Sequence, residues 1–176
     1  MPAKVLCLVV AWLIGAAAWA CPTDAEPRAD STVLTVQLPG QAVRTFSSAA
    51  LATLPQTHLT QRLTVSSSGN SMTDRGVQYS GVLVRDILTS VGFASAADRS
   101  ARTSVVEAVA SDGYRAVFSW GELYNSSIGE QVLIITAQDG RPLSVAAGPL
   151  ALRSLADTRP GPRHIRNLCA LIVPLR

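Results

Sequence analysis

An unbroken apolar run, Val5 to Ala18, opens the chain; from Val33 onward, hydrophobic and polar positions alternate in short bursts separated by Gly, Pro, Asp and Ser. Val33 to Leu38 (VLTVQL) alternates and is β-branched, which predicts a half-buried strand before the Pro39-Gly40 turn. Ser47 or Ser48 is placed to cap a short helix over Ala49 to Leu54, which Pro55 ends. Leu59 to Ser66 alternates again, with Leu59, Gln61, Leu63 and Val65 on one face and Thr60, Arg62 and Thr64 on the other. Ser67 to Gln78 has no clear period and reads as loop. Behind Gly81, Val82 to Val91 predicts a helix with Leu83, Ile87 and Leu88 on one face and Gly92 as its stop.

The second half reads the same way. Val105 to Ala110, a Ser111-Asp112-Gly113 turn and Tyr114 to Phe118 predict a hairpin. Ser119 and Glu122 stand at capping-box spacing before one helical turn. Gln131 to Thr136 (QVLIIT) is apolar and is expected in the middle of a sheet. Asp139-Gly140 turns the chain into Arg141-Pro142-Leu143, Gly148-Pro149 opens an arginine-bearing end, and Leu168 to Val173 is the closing strand. Hairpins with few βαβ units predict an α+β fold with mixed β-sheets and short helices, not a doubly wound parallel sheet.

The length of 176 residues leaves room for one domain with a real core. Lys4, the apolar run and Ala18-Trp19-Ala20 have the layout of a secretory signal peptide over residues 1–20, with a polar leader at 21–31 and a single domain over 32–176. A membrane anchor or a lipid attached to Cys21 are the alternatives. No later stretch is long and apolar enough to span a bilayer, so the expected location is periplasmic or secreted. Lys4 is the sole lysine, and the formal net charge is +3 for the whole chain. That is too mild to argue for nucleic acid.

Past the expected cleavage site only Cys21 and Cys169 remain of the three cysteines. In an oxidising compartment a Cys21–Cys169 disulfide is a candidate; the alternative is a free Cys169 in an apolar strand. Two cysteines and the two histidines, His58 and His164, do not make a zinc site. No GxSxG elbow is present for a serine hydrolase. Asp112 and Glu122 are explained by their turn and cap. Arg153, Arg159, Arg163, Arg166 and Arg176 share the C-terminal end with a single acid, Asp157. Guanidinium groups there suit phosphate or carboxylate, against the alternative of scattered surface arginines. Tyr79, Tyr114 and Trp120 are candidates for lining a flat-ring pocket, or core.

Five segments in order carry a family resemblance: Phe46-Ser47-Ser48 with Leu51 and Leu54-Pro55; YSGVLVRDIL over Tyr79 to Leu88; Ser111 to Tyr114 leading to Phe118 to Leu123; Asp139 to Leu143 before Gly148-Pro149-Leu150; and Arg163 to Leu168. Together they resemble the oxidoreductase molybdopterin-binding domain, the sulfite-oxidase-like fold, in its small exported form. The resemblance implies a pterin cofactor whose molybdenum is held by one cysteine thiolate in the loop before the Gly-Val-x-Leu helix. Here the loop from Thr64 to Gln78 carries serines, and no cysteine stands between Cys21 and Cys169. A cofactor loaded in the cytoplasm also implies export of a folded protein on a twin-arginine signal, and this signal has no arginine.

The expectation is therefore a cofactor-free binding module, probed by a small anionic ligand or by a periplasmic sensor or redox partner. Its candidate ligand residues are Ser68, Asn70, Ser71, Arg75, Tyr79, Tyr114, Arg153, Arg163, His164 and Arg166, with no catalytic or metal-binding residue. The alternative is a periplasmic molybdopterin-dependent oxidoreductase; a structural or assembly partner without a small ligand is a third reading.

Overall fold

The computed structural model describes residues 33–66, 72–93, 99, 101–159 and 161–175. The expected signal peptide, the leader with Cys21, and Ser68, Asn70 and Ser71 lie outside the described residues. In chain order the elements are β1 (Val33–Gln37), β2 (Arg44–Ser47), α1 (Ser48–Ala52), β3 (Thr57–Ser66), β4 (Met72–Leu83), α2 (Val84–Ser90), β5 (Val105–Ala110) and β6 (Arg115–Ser119). They continue with α3 (Trp120–Tyr124), β7 (Val132–Gln138), β8 (Arg141–Pro142), β9 (Ala151–Ser154), β10 (His164–Ile165) and β11 (Leu168–Ile172).

Two sheets result. The first runs β2-β1-β11-β5-β6, with β1 and β11 parallel and the other pairs antiparallel. The second runs β10-β9-β7-β4-β3, with β8 on β7, and every pair is antiparallel. This is the α+β arrangement of mixed sheets and short helices that the pattern predicts.

One hydrophobic cluster joins both sheets to the helices: Leu34, Val106, Phe118 and Leu171 from the first, Val82, Ile134, Leu152 and Ile165 from the second, and Leu51, Ile87, Leu88 and Leu123 from the helices. Burying each such side chain contributes about 2 kcal/mol. Side chains alternate across a strand, so the residues between these point to the opposite face of the second sheet. There Val77, Tyr79, Leu83, Leu133, Ile135 and Ala151 form a second, smaller cluster. That outer face carries the site described below.

Local signals act as the sequence predicts. Ser47 accepts a hydrogen bond from the Ala50 amide at 3.2 Å and caps α1. Ser119 and Glu122 form a reciprocal capping box on α3. Gly92 ends the α2 segment at φ 84°, and Asp139 and Gly140 turn between β7 and β8 at φ 50° and 72°, a left-handed pair suited to a two-residue hairpin. β7 is buried at four consecutive positions and lies in the middle of its sheet.

Several elements differ from expectation. Met72 to Gln78, read as loop, belongs to β4, because a ten-pair register with β3, from Thr57↔Gly81 to Ser66↔Met72, supplies the backbone partners that its side-chain pattern does not announce. Gly81, Val82 and Leu83 are also strand, so the helix starts at Val84. β2, β9 and β10 are not anticipated: β2 adds a short edge to β1, and β9 with β10 extends the second sheet beyond β7. Cys169 is disulfide-bonded, while its candidate partner Cys21 is outside the described residues. Among the described residues no helix is long and apolar enough to cross a membrane.

Candidate functional site

β9 is buried at all four positions, and one of them is an arginine. Arg153 is 9% exposed. It points to the outer face because it shares the alternation of Ala151, and it pairs with Leu133 on one side and His164 on the other. From β9 its side chain crosses β7 to reach the far strands. Its Nη1 donates to the Tyr79 hydroxyl on β4 and, at 3.2 Å, to Gln61 Oε1 on β3. The guanidinium carbon lies 5.2 Å from the Tyr79 ring centroid, within cation–π range. Its Nε is buried with no hydrogen-bond partner.

Two further basic side chains adjoin it. His164 is half-buried on β10, and Arg166 is exposed just beyond. Burial, and then the positive charges of Arg153 and Arg166, push the His164 imidazole down to about 4. It is therefore neutral at pH 7. Among the described residues neither Arg153, Arg166 nor Arg141 forms an ion pair. A desolvated cation without a counter-charge costs several kcal/mol, so the cluster is electrostatically incomplete.

A cavity of about 200 Å³ opens against this cluster, lined by Tyr79, Gln138, Ser144, His164 and Arg166 and by the apolar Ile135, Leu143, Ala146, Ala147 and Ala151. It shares Gln138 and Ser144 with a shallower groove of about 510 Å³ that Arg75, Asp139, Arg141 and Pro142 complete. The single acid there is already engaged: Asp139 accepts from the Gln78 amide at 2.9 Å and lies 3.6 Å from Arg75.

The structure thus brings together Arg75, Tyr79, Arg153, His164 and Arg166 of the sequence candidates. It places two elsewhere. Arg163 Nε donates to Asp157 Oδ2 at 2.9 Å, its Nη2 to Asp157 Oδ1, and its Nη1 to Glu122 Oε1 at 2.7 Å, with the guanidinium over the Phe118 ring. Its donors are occupied by two carboxylates, so it fastens β10 to β6 and α3 and is not open to a ligand. Tyr114 sits in the β5–β6 turn, 46% exposed, with its hydroxyl on the Pro162 carbonyl. Ser68, Asn70 and Ser71 lie outside the described residues. Trp120 stacks on Tyr124 beside the main core.

Sequence reasoning missed Gln61, Gln138, Arg141 and Ser144. The alternation of β3, which puts Gln61 on the face of Leu59, was the one signal available for them. His58 Nδ1 lies 2.8 Å from Ser80 Oγ across the β3–β4 pair. Among the described residues no carboxylate joins them, so the contact is a cross-strand polar pair.

The residues present do not fit a thiolate-held molybdenum. Cys169 is in the other sheet and already bonded, and the serine-bearing stretch before β4 has no cysteine. Among the described residues no group of three or more His, Cys, Asp or Glu could hold a metal ion.

The neutrality of His164 has a measurable consequence. In an NMR pH titration its ring signals are expected to move near pH 4, and closer to the ordinary histidine value in Arg166→Gln. The folded state binds fewer protons than the unfolded chain in that interval, so this group makes stability fall as pH drops from about 6.5 towards 4. Titration near 6.5 in the parent protein would mean a solvated ring and no burial of the cluster.

No family model and no curated protein matches the chain. Among solved structures it is similar to the crystal structure of the sulfane dehydrogenase SoxCD from Paracoccus pantotrophus, with a TM-score of 0.62 over 85% of this chain at 13% identity. The match spans 39% of that chain, well under half its length. At this identity the likeness is one of fold alone, and it agrees with the α+β class that the sequence pattern predicts.

Proposed function

We propose that this protein is an exported, cofactor-free binding module that takes a small anionic ligand on the outer face of its second sheet, in a periplasmic or secreted setting. The observation that carries the reading is Arg153: nine-tenths buried, with no carboxylate, and with a buried Nε that nothing accepts. Proteins neutralise such a charge with an acid or leave it for a ligand. Arg166 at the cavity wall and Arg141 in the adjoining groove extend the same unbalanced charge towards solvent. The ligand would serve a sensor or a redox partner.

The test is a titration with acetate and with sulfate, comparing the parent protein with Arg153→Met. Methionine follows the apolar stem of the arginine, stops short of the guanidinium and has no charge. Relief of the buried charge offsets the two lost hydrogen bonds, so the expected stability change is within about 1 kcal/mol. Anion affinity is expected to fall about tenfold or more, because Arg153 adds its charge to the site and polarises the Tyr79 hydroxyl. Unchanged affinity in a folded variant would remove Arg153 from the site. Equal failure of both anions to bind the parent protein would remove the reading.

The second reading is a molybdopterin-dependent oxidoreductase, favoured by the fold likeness to a dehydrogenase. It predicts about one molybdenum per chain in protein recovered from its exported compartment. The binding-module reading predicts neither molybdenum nor pterin there.

A further inference from the structure

The cavity beside the cluster is divided in chemistry. Tyr79, Gln138, Ser144, His164 and Arg166 give its lining polar groups, and Ile135, Leu143, Ala146, Ala147 and Ala151 give it apolar ones. We infer that the ligand is a small amphipathic organic monoanion, a short carboxylate or sulfonate whose head meets Arg166 and the Tyr79 hydroxyl while its apolar part lies on the Ile135–Leu143–Ala151 shelf. This rests on the anion-site reading above and deepens it.

Three observations point there. The first is size: about 200 Å³ is the space of roughly seven waters, which limits the ligand to about ten non-hydrogen atoms. A pterin carrying a phosphate exceeds that limit. The second is charge. Among the described residues Arg166 is the one full cation in the cavity wall, His164 is neutral at pH 7, and Arg153 acts from behind Tyr79. One wall cation with a buried cation behind it suits one negative charge more than two. The third is the donor arrangement. Tyr79 accepts from Arg153, so its own proton is free to be donated, and that donor is polarised towards an anion. The apolar shelf has no role in holding an inorganic oxyanion, which presents oxygens on every side.

The experiment is a two-dimensional NMR titration of the purified protein, in which weak affinities are readable, with acetate, butyrate, sulfate and inorganic phosphate. Each buried methylene strengthens binding about fourfold, so butyrate is expected to bind about fifteenfold more tightly than acetate. The Ala147 and Ala151 methyl signals should shift, and Arg166→Gln, an exposed change that leaves the fold intact, should abolish the response. Sulfate and phosphate should bind more weakly than butyrate. Binding of sulfate or phosphate with no gain from acetate to butyrate would keep the anion site and overturn the amphipathic ligand. Absence of any response from the folded protein would overturn both.

Discussion

Gly81→Ala is expected to destabilise the domain severely. Gly81 lies in β4 opposite Ile135 of β7, at an irregularity in the register between Ser80 and Gly81. A Cβ built there falls 1.9 Å from the Ile134 carbonyl oxygen, 2.9 Å from its carbon and 3.1 Å from Ile135 Cα. All three are backbone atoms of the buried part of β7, so no side chain can rotate away. The strands would have to part, and β4–β7 is the pairing that joins the β3–β4 hairpin to the rest of the second sheet. The expected loss is about 4 kcal/mol or more, at the extreme of single substitutions. A domain of this size holds about 5–15 kcal/mol in total. Chemical denaturation measures it directly. Gly76→Ala in the same strand is the control, because its Cβ would meet only Thr60 Cγ2 at 3.5 Å, an ordinary contact. Equal stability of the two variants would mean that β4 shifts freely and that the close approach is not a constraint.

Arg163→Ala is expected to cost about 2–3 kcal/mol, the lower end of breaking a buried ion pair, because the network is partly exposed. For a domain of this length that corresponds to a fall in Tm of roughly 5–10 °C. Hydrogen bonds from Arg163 hold the Asp157 carboxyl below its ordinary range against the effect of burial. Burial pushes Glu122 up, but the Ser119 bonds and Arg163 outweigh it and keep it low as well. Both carboxylates are therefore ionised more readily in the folded state. Their contribution is full above the ordinary carboxylate range near pH 4 and is lost as pH falls through their lowered values. The variant should show a shallower acid limb as well as a lower plateau, since Asp157 loses its chief stabiliser while Glu122 keeps its bonds to Ser119. An Arg163→Lys substitution should restore only part of the loss, because a single ammonium cannot bridge both carboxylates as the fork does. Thermal unfolding at pH 7 and pH 3 separates the two effects; an unchanged Tm at pH 7 would mean the network is solvated and contributes nothing.

The two arginines explain why the site was only half legible. Arg153 and Arg163 belong to one arginine-rich end, and in composition they are equivalent. Arg163 meets Asp157 six residues away and Glu122 forty-one residues away, and becomes a structural tie. Arg153 meets Tyr79 and Gln61, 74 and 92 residues away, and no acid. Nothing local distinguishes them, because the distinction is made by which face of which strand each occupies. The loop reading of Met72 to Gln78 fails for a related reason: a strand whose partner lies in the other arm of a long hairpin draws its stability from backbone pairing, which leaves little trace in side-chain periodicity.

By itself the sequence determined what short-range physics decides. A serine cap at Ser47 or Ser48, the Ser119–Glu122 capping box, the Asp139-Gly140 turn, the Gly92 stop and the apolar β7 strand follow from contacts among residues within a few positions, and with them the α+β class. The missing cysteine, and so the poor fit to a thiolate-held molybdenum, is also a property of the sequence alone. Only the tertiary structure decided which arginines are paired, that His164 is held neutral, and that Tyr79, His164 and Arg166 line one cavity beside the buried Arg153. Those outcomes depend on strand order and register, where a shift of one residue would turn Arg153 from the outer face of the second sheet into the main core.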